Sequence, residues 1–209
     1  MKYIMFGFAL LFLICCAGCR STRPEPVPVN ESGAGTSTDS ADIKIEDGAG
    51  ALVMKLVKDG ADYKVRDEKG NTIGKLKVSD GKVTIDDADG KKLGSVKKDG
   101  ADMLLDDADG KKIVKLGARD GGYRLKDNEE NTWLKIKPKD DGFGLDDAGG
   151  NDLGKVKGKG SSGKLKIMDA ADKTLFVIAG PVKADVAGVL IVKQLTPLQQ
   201  AAFIVGGGL

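Results

Sequence analysis

The chain contains no histidine. That absence removes the commonest general base, the serine–histidine–aspartate triad and the imidazole metal sites together. Cysteine is missing from the body of the chain. Cys15, Cys16 and Cys19 all lie within the first nineteen residues, so the remainder holds neither a disulfide nor a thiolate nucleophile. Nor does charge of one sign dominate: Lys plus Arg is 33 against 31 for Asp plus Glu, which leaves no broad field to argue for nucleic acid. The apolar run from Tyr3 to about Ala17 falls short of the ~20 residues of a comfortable bilayer-spanning helix. What is left is a chain of 209 residues, sized for one ordinary domain or a small repeat array, with no catalytic role and no cofactor expected.

The first twenty residues, "MKYIMFGFALLFLICCAGCR", place Lys2 ahead of an apolar run and small residues ahead of a cysteine, the layout of a secretory signal. The segment Cys16-Ala17-Gly18-Cys19 resembles the lipobox of bacterial lipoproteins, with Cys16 standing where that family usually has Leu. The resemblance implies a signal peptide over 1–18, with an ordinary cleaved signal as the alternative. It makes Cys19 the lipid-bearing first mature residue and the single site residue expected, and the membrane a partner through that lipid. More than one acyl chain on Cys19 makes anchoring stable. In enterobacterial lipoproteins an Asp at the next position favours the inner membrane; Arg20 stands there, so the resemblance points to the outer membrane of a bacterial cell envelope. Residues 19–42 carry the stretch "STRPEPVPVNESGAGTSTDSAD", too poor in apolar residues to bury a core. They are expected to form a tether with a random-coil reach on the order of 25 Å.

From Ile43 the chain repeats itself. Asp47, Asp67, Asp87, Asp107, Asp127 and Asp147 are spaced by twenty residues, and one more copy stands at Asp169, displaced by two. Two positions before each lies an aliphatic residue: Ile45, Val65, Ile85, Leu105, Leu125, Leu145 and Ile167. Two before those, most copies have a further apolar residue, such as Tyr63, Val83, Met103, Tyr123, Phe143 or Leu165. A spacing of two along one side predicts a half-buried strand. Gly follows the Asp by three in most copies, as at Gly50, Gly70, Gly90, Gly110 and Gly150, and predicts a tight turn. A second apolar cluster comes next, as in Ile73 and Leu76, Leu93 and Val96, Ile113 and Leu116, or Trp133 and Ile136. Its spacing of three fits a strand only if a bulge or an edge-facing residue intervenes. Each copy therefore predicts strand, turn, strand, a unit unable to bury its apolar face alone.

The expected fold is mainly β, an antiparallel meander of ~20-residue hairpins over 43–180. Some twelve to fourteen strands must close, flatten or split. A barrel of about twelve leaves an interior that needs a plug. Residues 181–209 supply an apolar candidate in which Thr196-Pro197-Leu198-Gln199 has the form of a capping box and Gly206 can end the helix. The prediction is a closed barrel around that helix, with a single-layer or open sheet as the alternative. Hairpins of the form apolar-x-Asp-x-x-Gly-x-x-apolar, followed by an apolar C-terminal helix, resemble the tubby-like superfamily, which includes LURP-one-related proteins and phospholipid scramblases. That resemblance implies lipid handling; no binding residue carries over one by one. A second resemblance is to spirochaete outer-surface lipoproteins, whose Lys- and Asp-rich hairpins build single-layer sheets polar on both faces. The apolar column kept by every unit here favours closure.

Motifs for chemistry are weak. "DDADG" at Asp86 and Asp106 has alternate carboxylates like a calcium loop, but two lysines follow each Gly where further oxygen ligands are needed, so plain turns and no metal are expected. "GKGSSGK" from Gly158 to Lys164 satisfies seven places of a P-loop, then has Leu165 where Ser or Thr would hold magnesium, and a strand follows where a helix is needed. Trp133 reads as core, with a ligand-stacking aromatic as the alternative. Lysines alternating with apolar residues, as in Lys75-Leu76-Lys77 and Lys135-Ile136-Lys137, read as a solvated outer face. The function expected is a non-catalytic binding or structural module with an envelope protein, lipid or glycan as partner. The alternative is a lipid-handling protein of tubby-like type.

Overall fold

The computed structural model describes residues 42–158 and 163–209. The predicted signal peptide, Cys19 and nearly all of the tether lie outside the described residues. Fourteen strands run through the barrel, two to each copy of the repeat. They are β1 (Ile43–Asp47) and β2 (Leu52–Asp59), β3 (Asp62–Arg66) and β4 (Thr72–Ser79), β5 (Lys82–Asp87) and β6 (Lys92–Asp99), and β7 (Asp102–Asp107) and β8 (Lys112–Arg119). The series continues with β9 (Gly122–Asp127) and β10 (Thr132–Lys139), β11 (Gly142–Asp146) and β12 (Asp152–Lys157), and β13 (Lys164–Asp169) and β14 (Thr174–Ala179). Each strand pairs antiparallel with its sequence neighbours, and β14 returns to β1 with Ile45 opposite Ile178, so the sheet closes into a barrel. The predicted barrel is there, with fourteen strands in place of about twelve. The displaced copy at Asp169 makes a complete seventh hairpin, and its second strand closes the ring.

The aliphatic residue two before each repeated Asp points inward and is buried in all seven copies. Val83, Met103 and Leu165 join it, while Tyr63, Tyr123 and Phe143 are half-buried against the same core. The spacing of three in the second strands is a bulge. Val65 lies opposite Gly74 and Arg66 opposite Thr72, so Ile73 is the extra residue. The same shift sets out Val53, Leu93, Ile113, Trp133, Leu153 and Leu175 in the other hairpins. These residues are not the core of their strands: Val53, Leu93 and Leu153 are 40%, 44% and 37% exposed. The core comes instead from Met54, Leu76, Val96, Val114, Leu116, Leu134 and Ile136. A bulge sharpens the local twist, and seven of them bend the sheet on itself. On the other side of β6 the neighbouring strand runs close; a Cβ on Gly94 would stand 2.4 Å from the Asp106 carbonyl oxygen of β7, which glycine avoids.

The C-terminal segment fills the interior that this many strands enclose. It forms α1 (Ala184–Ala187), a 3₁₀ turn (Gly188–Ile191) and α2 (Pro197–Gly208). The capping box is made: the Gln199 N–H donates to Thr196 Oγ1 at 3.3 Å, and the Thr196 N–H donates to Gln199 Oε1 at 2.9 Å. Gly206 does not end the helix, which runs two residues further. Seven consecutive residues, Ala201 to Gly207, are buried, so α2 has no solvent face through its middle. Gly206 marks its contact with the wall, since a Cβ there would lie 3.3 Å from Val96 Cγ1.

Candidate functional site

The interior is occupied by the chain itself. α2 packs against β4 to β7, and α1 against β9 and β11 to β13. Gly188 sits so close to the wall that a Cβ would stand 2.6 Å from Leu145 Cδ2. Recognition chemistry is therefore to be sought on the turns and the outer face.

The repeated aspartates fold back into their own turns. Asp107 Oδ1 accepts the N–H groups of Asp109 at 3.0 Å and Lys111 at 2.9 Å, while the Gly110 N–H donates to the Asp107 carbonyl. Asp47, Asp67, Asp87, Asp127 and Asp169 accept two N–H groups in the same way. In Asp127 the Asn131 side-chain amide, then the backbone N–H groups of Asn131 and Glu129, and then the Trp133 ring hold the carboxyl below its usual range. One oxygen of each is spent on turn geometry, and among the described residues no group of three or more acidic side chains is arranged to hold a metal ion. The P-loop-like stretch has residues 159–162 outside the described part; Lys164 begins β13. Trp133 is the bulge residue of its hairpin, half-buried against the core, neither a full core residue nor a free stacking platform.

The outer face carries a repeated ion pair. Lys77 Nζ lies 2.6 Å from Asp86 Oδ2, Lys97 Nζ 2.7 Å from Asp106 Oδ2 and Lys137 Nζ 2.6 Å from Asp146 Oδ2. In each, a lysine on the second strand of one unit reaches an aspartate nine residues on, at the end of the next strand. The first Asp of each "DDADG" thus has a partner and is buried, at 2% for Asp86 and 5% for Asp106. On β8 and β9 the same two places are Gly117 and Lys126. The missing lysine leaves a notch of about 70 Å³ lined by Lys115, Gly117, Arg119, Arg124, Lys126 and Glu130. A wider hollow of about 240 Å³ adjoins it past Arg119 and Arg124, reaching Tyr123, Lys135 and Pro138.

Two of these cations have partners. Lys115 Nζ lies 2.6 Å from Asp102 Oδ2, and Lys126 Nζ 2.9 Å from Glu130 Oε2. Arg119 donates to the Ala118 carbonyl at 2.8 Å, and Arg124 makes no ion pair among the described residues. Four positive side chains against Glu130 and Asp102 leave the notch with an excess of two positive charges. Sequence reading passed over this place because the lysine columns looked uniform. The available signal was the break in the twenty-residue register, where Lys gives way to Gly and Asp to Lys.

No family model matches the chain, and no curated protein does either. Among solved structures, an X-ray structure of a protein from Arabidopsis thaliana is similar at 13% identity with a TM-score of 0.39, over 73% of this chain and 89% of that one.

Proposed function

We propose that the protein is a lipid-anchored component of a bacterial cell envelope, tethered through Cys19 at the outer membrane, where the barrel acts as a non-catalytic binding or structural module. The observation that carries the binding half of this reading is the burial of Ala201 to Gly207 inside the barrel. With the interior taken up by the chain's own helix, the surface left to meet a partner is the charged outer wall. The anchoring half rests on the lipobox-like Cys16 to Cys19 and the Pro- and Ser-rich segment behind it. A lipid-handling role of tubby-like type is the other reading, and it requires acyl chains to displace α2.

Growth of expressing cells with labelled palmitate tests the anchor. Label in the full chain that is lost in Cys19→Ser is expected, and an unlabelled native chain would sink it. Native mass spectrometry of the full chain, released from detergent, tests the interior. The covalent lipid alone is the expected added mass; a further retained phospholipid or fatty acid would move the function to the barrel interior.

A further inference from the structure

We infer that the notch over Gly117 is a binding site for one phosphate group, set between Arg119 and Arg124 on the outer face of β8 and β9. The inference rests on the reading that recognition happens on the outer wall. It does not depend on the anchor, so a chain that carries no lipid leaves it untouched.

The chain supplies its own control. On the β4–β5, β6–β7 and β10–β11 pairs of strands, the two outward positions hold a lysine and an aspartate that neutralise each other. On β2 and β3 they are Val57 and Arg66, where a branched side chain keeps the first place filled. On β12 and β13 they are Lys157, which pairs with Asp141, and Lys166, so the first place is filled there too. Among these six pairs of strands, only at Gly117 is the side chain deleted while the acid diagonal to it is replaced by a cation, Lys126. Both changes act in one direction: space opens, and negative charge leaves.

Backbone geometry does not require that glycine. A Cβ at Gly117 would meet the flexible end of Lys115 at 3.3 Å and otherwise nothing nearer than 3.7 Å, unlike Gly94, whose Cβ would strike a carbonyl at 2.4 Å. The fold therefore tolerates a side chain at 117, and its absence is explained by what the space is for. One water takes about 10–15 Å³ of a cavity, so the notch has room for on the order of five, the scale of a single phosphate head.

The donors suit that group. Arg124 and Arg119 present planar forks matched to phosphate oxygens, and guanidinium is shed of water more easily than ammonium. Lys115 and Lys126 stand on the two sides of the floor, each with donors beyond the one its carboxylate partner takes. Four cationic groups converging from two strands serve a tetrahedral anion with three free oxygens better than a planar carboxylate with two. Two acids oppose an anion and each is held by a lysine: Glu130 at the rim by Lys126 at 2.9 Å, and Asp102, whose Oδ1 would lie 3.7 Å from a Cβ at Gly117, by Lys115 at 2.6 Å.

The test is an amide-shift titration of the full chain in non-ionic detergent with inorganic phosphate at low salt. Saturable shifts centred on Gly117 and Arg124 are expected. Arg124→Ala should weaken binding by about tenfold or more. The double variant Gly117→Lys with Lys126→Asp writes the neighbouring ion pair back into the notch. It should fold with unchanged melting and lose the phosphate response. Acetate should give at most a tenth of the effect, by the same donor argument. The source of the phosphate is separated by a second arm. Phosphatidylcholine vesicles with and without phosphatidic acid, whose head is a phosphomonoester with three free oxygens, presented to the anchor-free Cys19→Ser chain, should recruit the native notch over the double variant only if the group belongs to a lipid head. Binding of soluble phosphate without that difference assigns it to a soluble or glycan phosphoester. Absence of a saturable phosphate response, or a response that survives the double variant, overturns the site.

Discussion

Gly207 of α2 lies against Val186 of α1, and a Cβ on the glycine would stand 2.7 Å from Val186 Cγ2. The two pieces of the C-terminal plug are thus packed on each other as closely as on the wall. Gly207→Leu is expected to destabilise the protein by about 1–3 kcal/mol through overpacking, outweighing the ~1 kcal/mol that leaving glycine adds to helix propensity. Gly208, one residue on, has open space where its Cβ would be, so Gly208→Ala should be neutral or mildly stabilising. Urea melts of the two variants check the contrast. Removal of residues 181–209 should abolish the cooperative melt, because the wall's apolar face would line an empty space.

The bulge gives a second contrast, between neighbouring units. Leu105 on β7 is fully buried, whereas Leu93 on β6 is 44% exposed although both stand in apolar positions of the repeat. Leu105→Ala should cost about 2–5 kcal/mol, with a cavity left behind. Leu93→Thr should stay within about 0.5 kcal/mol. Equal losses for the two would mean that the bulge residue is packed in solution.

Asp102 makes a pH-dependent contribution. Its carboxyl is held below the usual range first by the Lys115 ammonium and then by the Ala118 N–H, which donates at 2.8 Å. A carboxylate with a lowered folded pKa stabilises fully above its unfolded value of about 3.9 and loses that contribution as pH falls through the lower folded value. Asp102→Asn should therefore be less stable by about 1 kcal/mol near neutral pH. The difference should close as the solution is acidified below the folded value. Melts across that range check the sign; a gap that widens on acidification would refute it.

The turn aspartates should behave as caps. Asp107→Asn keeps an oxygen for the Asp109 and Lys111 N–H groups and should be nearly neutral. Asp107→Ala leaves those donors to water and should cost about 1 kcal/mol. Added calcium should leave the melting temperature unchanged, since Asp86 and Asp106 are held by lysines and one oxygen of Asp87 and Asp107 is spent on the turn, which leaves too few ligands for the cation. A calcium-dependent rise in melting temperature would restore the metal-loop reading of "DDADG".

Much of the fold was legible because a period of two inside a period of twenty leaves few alternatives. Ile45, Val65, Ile85, Leu105, Leu125, Leu145 and Ile167 could be named as the inward column from spacing alone. Ile73 and its equivalents were harder. Their apolar character suggests core, and only the pairing of Val65 with Gly74 reveals that they are the unpaired residue of a bulge. The notch was hidden for a related reason: Gly117 looks like any strand glycine until the lysine and aspartate of the neighbouring hairpins are seen to touch.

The sequence by itself determined the hairpin unit, its turns, its inward column and the capped C-terminal helix, since each is set by interactions within some twenty neighbouring residues. Tertiary structure decided the rest. Closure of β14 on β1 and the enclosure of α2 depend on strand register summed around the whole ring. A register is a relation between strands, and no single stretch of chain contains it.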